Sequence, residues 1–304
     1  MKINKKIQRD FITGDSWLYY KIYSGTKISD IILTDIIKPV AEKLIADKII
    51  DKWFFVRYKD PKHHLRVRFH FNKPDNLQKI IKQIFPYLKE FIEKDLIWKI
   101  QLDTYKREIE RYGLSTMVLS EKLFFFDSKM IVDFLDLIEG EEGEELRWLF
   151  ALRAIDSQLN SFRYSDEDKR DLLNRLKIGF RNEFEVSNLI GKQLNNKYRI
   201  EREKIDEFMK LSIKRNVEFK SVLNLLKNKE KSIEHIVCQI IDIIKVEELN
   251  VNLDDLNCSY IHMIMNRLFK SKNRIHEMVC YDFLYRYYNS MIARKINQKS
   301  YETN

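Results

Sequence analysis

The chain has 304 residues, 44% of them hydrophobic and 12% aromatic, with seven glycines, four prolines and a formal charge of +9. This composition excludes a disordered, collagenous or low-complexity chain and leaves a globular one long enough to bury a sizeable core. The positive balance favours acidic partners: nucleic acid, an acidic peptide and a small carboxylate all stay open, and a solvated lysine-rich surface accounts for most of the charge.

The opening MKINKKIQRDF is basic but lacks the apolar run of a signal peptide, so a cytoplasmic protein is expected. SWLYYKIY (16–23) is aromatic and strand-like. SDIILTDIIKPVAEKLIADK (29–48) carries apolar residues at helical spacing behind a Ser29 cap, and Pro39 should kink or divide that helix. KWFFVRYK (52–59) and HLRVRFHF (64–71) read as a hairpin turning at Asp60 and Pro61. Pro74 opens a helix to about Glu93, and IWKIQLDTY (97–105) supplies a fourth strand. The order β-α-β-β-α-β is that of a ferredoxin-like antiparallel sheet with two helices on one face and the other face available.

Helical periodicity continues through segments near 115–138, 144–161, 165–180, 200–228, 232–247, 253–271 and 274–293, with Ser165 and Asp168 forming a capping box. GEEGEE (140–145) reads as a surface loop. The apolar stretch IEHIVCQIIDIIKV is broken by His235 and Asp242 and falls short of the roughly 20 residues of a membrane span, so no membrane contact is expected. The expected fold is therefore α+β in a single domain over 1–304, with an α/β sheet subregion (1–113) and a mainly helical subregion (114–304) packed against it. Cys238, Cys258 and Cys280 form no CxxC pair and read as reduced thiols. Cys258 and His262 stand four apart on one helix, but no second ligand pair accompanies them, so no metal is expected.

Three patterns could carry chemistry. In the third strand Leu65, Val67, Phe69 and Phe71 alternate with His64, Arg66, Arg68 and His70, so two guanidiniums project together as a clamp for carboxylate or phosphate. A wet outer sheet face would explain the same pattern. TYKREIERYG (104–113) places Arg107, Glu108, Glu110 and Arg111 just beyond the sheet, where Glu108 and Arg111 could also form an ordinary surface pair. In SYIHMIMNRL (259–268), Ser259, His262 and Asn266 share a polar helix face, and His262 could move a proton or serve only as structure. Phosphate-cradling glycine loops, the serine-hydrolase elbow and HExxH are absent from the sequence, and no cofactor is expected.

RDFITGDSWLYYKIYSG, HLRVRF, TYKREIERYG and HMIMNRL, in that order, resemble the C-terminal domain of class I lantibiotic dehydratases, a family that includes stand-alone thiopeptide-type bacteriocin biosynthesis proteins. The resemblance implies a lyase that eliminates glutamate from glutamylated Ser and Thr of a precursor peptide, leaving dehydroalanine or dehydrobutyrine. It also implies a separate glutamyl-tRNA-dependent partner that makes the ester. Carried over motif by motif, it implies catalytic roles for Arg66, Arg68, Glu108, Arg111 and His262; His64 and Asn266 within those motifs, and Glu277 on the helix that follows the last of them, are expected to bind substrate. Leu114 stands where a second glycine is expected after Gly113, which touches only local loop geometry.

The implied chemistry brings His262 to the strand-three arginines. Rival readings are a thiopeptide pyridine synthase, which joins two dehydroamino acids and expels the leader, and a non-catalytic peptide-binding subunit. An RNA-binding module fits poorly, since Phe69 and Phe71 fall on the face opposite the arginines and direct nucleic-acid contact is not expected. A homodimer and a monomer are equally compatible with the sequence.

Overall fold

The computed structural model describes residues 7–302 apart from 139, 186, 214–217 and 247–250. The chain falls into two units, Met1–Leu137 with Ser232–Ser259, and Ile138–Lys231 with Tyr260–Asn304.

In the first unit, β2 (Trp17–Ser24) pairs antiparallel with β4 (His63–His70) on one side and β5 (Ile97–Leu102) on the other. β3 (Lys52–Lys59) lies outside β4, giving the order β3-β4-β2-β5. A separate ladder joins β1 (Asp10–Phe11) to β6 (Tyr105–Lys106). The strand expected over 97–105 is therefore interrupted. At the break, the Asp103 carboxylate accepts from the Thr104 amide at 2.8 Å and pairs with Lys21, a local alternative to the ladder.

On one sheet face Leu18, Ile22, Leu65, Val67 and Phe69 are fully buried, as are Ile32, Leu33, Ile36 and Ile80 of the helices. The helix expected over 29–48 divides into α1 (Ile28–Ile31), a π-helical segment (Ile32–Ile37) and α2 (Lys38–Ala46). Pro39 sits in the first turn of α2; it has no N–H to donate, and the wider turn precedes it. Ser29 does not cap this helix. Its hydroxyl donates to the Thr26 carbonyl and accepts from Arg57 Nη1, each at 2.6 Å, so a buried arginine has claimed the expected cap.

α3 (Asn76–Glu93) follows Pro74 as expected and carries Pro86 within it. Next come α4 (Ile109–Tyr112) and α5 (Met117–Leu135). α5 runs along the edge strand β3, where Ser128 Oγ accepts from the Phe55 amide at 3.2 Å and Phe124 meets Phe54 edge-on at 5.4 Å. That contact covers an otherwise open sheet edge.

The regular elements among the described residues of the second unit are all helices. The unit contains α6 (Gly140–Ser161), α7 (Asp166–Glu183), α8 (Asn188–Lys210) and α11 (Asn273–Glu302). α9 (Lys220–Val246) and α10 (Leu253–Leu268) contribute residues to both units. GEEGEE is not a loop but the start of α6, where Glu142, Glu144 and Glu145 suit the positive end of the helix dipole. The helix expected over 200–228 is broken: α8 ends at Lys210 and α9 begins at Lys220, while 214–217 lie outside the described residues.

Arg153 donates to the carbonyls of Met209 and Leu211, partners that the end of α8 would otherwise lack. The Ser165–Asp168 capping box forms in both directions, each bond 3.1 Å long. α7 packs along α11, with Phe180 against Tyr281 at 5.3 Å and Lys177 over the Tyr285 ring at 3.5 Å. Among the described residues no helix is long and apolar enough to cross a membrane.

Candidate active site

The alternation of β4 places His64, Arg66 and Arg68 on one face. Antiparallel register sets Tyr23, Lys21 and Tyr19 of β2 opposite them on one side, and Tyr58, Val56 and Phe54 of β3 on the other. This face is not the wet surface that the pattern allowed: Arg68 is 8% exposed and His64 is fully buried. Aromatic residues do share the arginine face, contrary to the expectation from β4 alone. Tyr19, Tyr23 and Phe54 are buried, so they offer no open stacking platform for RNA bases.

The Arg68 guanidinium lies 4.2 Å from the Tyr19 ring, 4.8 Å from Tyr105 and 5.1 Å from Phe54. Among the described residues it has no ion-pair partner, and its buried Nε has no hydrogen-bond acceptor. Burial pulls its pKa below the ordinary guanidinium value. A lone buried charge of this kind is costly, and ring faces offset only about 1–2 kcal/mol. An anion of suitable shape would supply what the protein withholds.

Arg66 stacks 3.4 Å from the Tyr58 ring centre and its Nε donates to His64 Nε2 at 3.1 Å. His64 Nδ1 lies 2.9 Å from the Lys62 carbonyl, so the proton is assigned to Nδ1 and Nε2 is the acceptor. Burial lowers the His64 pKa and keeps the ring in the neutral form that this arrangement needs. With both nitrogens occupied, His64 steadies Arg66 from beneath. His70 stands apart, bonded to Asp51 and edge-on to Trp17 at 4.8 Å.

Beyond the sheet, Arg107 is not a site residue. Its Nε and Nη2 clasp the two oxygens of buried Glu121, each at 2.7 Å, and the Tyr105 hydroxyl donates to the same carboxylate at 2.9 Å. This anchor fixes the start of α4. There Arg111 Nη1 lies 3.4 Å from Glu108 Oε2, and Arg111 Nε donates to Ser259 Oγ at 3.1 Å. Gly113 ends the turn at φ +75°, and a Cβ there would fall 2.7 Å from Thr116 Oγ1, so glycine is required.

In the second unit, His262 Nδ1 sits 3.0 and 3.1 Å from the two oxygens of Glu277. Glu277 is fully buried and also accepts from Arg274 Nη1 at 3.1 Å and from the Tyr281 hydroxyl at 3.3 Å. The carboxylate therefore holds the imidazole by Nδ1 and leaves Nε2 for other work, the logic of a histidine oriented for proton transfer. Asn266 lies one turn further along α10, where its backbone carbonyl accepts from Asn273 Nδ2 at 2.9 Å. Among the described residues no three His, Cys, Asp or Glu side chains gather into a set that could hold a metal ion.

Sequence reasoning missed Tyr19, Tyr58, Tyr105 and Glu121. Alternation within SWLYYKIY and KWFFVRYK could have flagged the first two, but which strand faces which is not written in either segment alone.

A buried guanidinium without a carboxylate partner among the described residues and a carboxylate-held imidazole are features found where acid–base chemistry meets an anion. Residues 17–288 match the family model of the lantibiotic biosynthesis dehydratase C-terminal region, and the chain belongs to that family. It is 31% identical over 174 residues to the subtilin biosynthesis protein SpaB of Bacillus subtilis, a match covering 56% of this chain and 17% of that protein. The fold is similar to the tRNA-dependent lantibiotic dehydratase MibB of Microbispora sp. 107891, with a TM-score of 0.73 and 19% identity over 94% of this chain and 29% of that one. It is also similar to TbtD, the pyridine synthase from thiomuracin biosynthesis, with a TM-score of 0.60 and 11% identity over 90% of this chain and 99% of that one. At such identities the two structural matches show the fold alone.

Proposed function

We propose that this chain β-eliminates glutamate from glutamylated serine and threonine residues of a precursor peptide, giving dehydroalanine or dehydrobutyrine. The observation that supports this most directly is Arg68: a buried cation bedded on three rings, with no carboxylate partner among the described residues. A glutamyl ester brings a carboxylate as it binds and releases a second one as it leaves. The strand order and antiparallel pairing also support the ferredoxin-like reading of the sheet.

In this reading Arg66, Arg68 and Arg111 hold the glutamyl group and the negative charge that develops as the Cα proton departs. Glu108 holds Arg111, His64 holds Arg66, and Glu277 holds His262, whose Nε2 handles the proton. The Cα–H electron pair becomes the Cα=Cβ bond, the Cβ–O bond breaks, and glutamate leaves as a carboxylate. The electrons balance without a cofactor. A separate glutamyl-tRNA-dependent protein supplies the ester.

The test is incubation of the purified protein with a synthetic glutamylated peptide, followed by intact mass. Loss of one whole glutamic acid per ester, abolished in Arg66→Ala and His262→Ala, is the expected result; ester retained by the wild type overturns the proposal. The fold shared with TbtD supports a second reading, cycloaddition. Under it, a peptide already carrying two dehydroamino acids would lose its leader, while the glutamylated peptide would be returned unchanged.

A further inference from the structure

Arg274 and Glu183 stand where helix electrostatics disfavour them. Arg274 is the second residue of α11, beside the positive end of that helix, and Glu183 is the last residue of α7, beside a negative end. They meet each other there. Arg274 Nε donates to Glu183 Oε1 at 3.2 Å, its Nη2 donates to Oε2, and the guanidinium lies 4.1 Å from the Phe180 ring. The third arm, Nη1, reaches inward to Glu277 Oε2 at 3.1 Å.

Glu277 needs that arm. Its side chain is 1% exposed, and its other partners among the described residues are the Tyr281 hydroxyl and His262 Nδ1, neither of them a permanent cation. Asp282, further along α11 and equally buried, is instead shared by two arginines, Arg181 and Arg286. An isolated buried carboxylate neutralises itself by taking a proton. Arg274 is therefore the fixed charge that lets Glu277 stay a carboxylate whatever proton His262 holds. The difference reaches the imidazole. A carboxylate accepts from Nδ1–H and leaves Nε2 bare, whereas a carboxylic acid donates to Nδ1 and leaves the ring proton on Nε2.

We propose that Arg274, anchored by Glu183, is a positioning residue that sets the tautomer of His262 by keeping Glu277 a hydrogen-bond acceptor. Its effect on turnover rests on the elimination reading, in which Nε2 handles the proton; its effect on the tautomer does not.

The experiment is nitrogen NMR of the full chain with isotope-labelled histidine, alongside kcat and KM for the glutamylated peptide. The His262 signals are assigned by their loss in His262→Ala. In the wild type the neutral ring should carry its proton on Nδ1. In Arg274→Met it should shift to the Nε2–H form, and kcat should fall by about 10²-fold or more at unchanged KM, as when a histidine presents the wrong nitrogen. Arg274→Lys keeps a cation without the fork, so it should restore the Nδ1–H form and part of kcat. Glu183→Gln, which loosens Arg274 from its anchor, should show both changes in smaller measure. An unchanged Nδ1–H ring in Arg274→Met would overturn the proposal even if turnover slowed, because an arginine that only ties α11 to α7 leaves the tautomer alone. If the wild type eliminates nothing, the elimination reading falls while the tautomer of the variants still decides this proposal.

Discussion

Arg68 and Arg107 are each 8% exposed, belong to the same unit, and rest on aromatic rings, Arg68 on Tyr19, Tyr105 and Phe54 and Arg107 on Phe11. Around Arg107 folding has completed the electrostatics: a bidentate carboxylate, a tyrosine hydroxyl on that carboxylate, and the Gln8 carbonyl on Nη1 at 2.9 Å. Around Arg68 it has not. Two equally buried guanidiniums therefore differ in how they are satisfied, one clasped by a carboxylate and the other bedded on rings with its Nε unpartnered among the described residues. Tyr105 touches both, with its hydroxyl on Glu121 and its ring against Arg68.

The sharpest way to break this contrast is Glu121→Ala, which strands Arg107 in the interior and should lower the unfolding free energy by about 3–5 kcal/mol in urea titration. An unchanged midpoint would mean that Arg107 is no anchor. Arg68→Met should behave oppositely, with stability held or raised because a lone buried charge is removed, while on the proposed elimination reading kcat drops by about 10²–10³-fold. If Arg68→Met unfolded as readily as Glu121→Ala, the two arginines would not differ in kind.

Tyr105→Phe separates the regions within one side chain. It should lose about 2 kcal/mol through the missing bond to Glu121 and, on the proposed elimination reading, keep its activity, since the ring beneath Arg68 remains. The smallest effect concerns pH. Burial holds the His64 pKa below its ordinary value, so at pH values between the two the unfolded chain binds a proton that the folded chain refuses. Stability is therefore complete above the ordinary imidazole pKa of about 6.5 and declines as pH falls below it. His63 and His276 shift in the same direction, so His64→Phe should flatten only part of the decline in urea midpoint between pH 7 and pH 5.5. An identical slope in that variant would remove His64 from the account.

Much of the fold was legible because it depends on local periodicity. The four sheet strands, the division near Pro39, the Ser165–Asp168 box and the common face of Arg66 and Arg68 all follow from residues within a few positions of one another. Errors fell where a distant side chain intervened. Ser29 was drawn from capping by Arg57, the end of α8 met Arg153, and Tyr105 left the fourth strand to pair with Phe11. GEEGEE failed differently: its glycines suggested a loop, but its glutamates favour a helix start.

By itself, the sequence determined that this is an α+β chain with two arginines projecting from one strand and a histidine on a polar helix face. Burial of those arginines, and which of them meets a carboxylate, only the tertiary structure decided. Strand alternation fixes the direction of a side chain within its own strand, but what lies across from it depends on register with residues far away in sequence. Tyr19 opposite Arg68, Glu121 against Arg107 and Glu277 beneath His262 are contacts of that second sort.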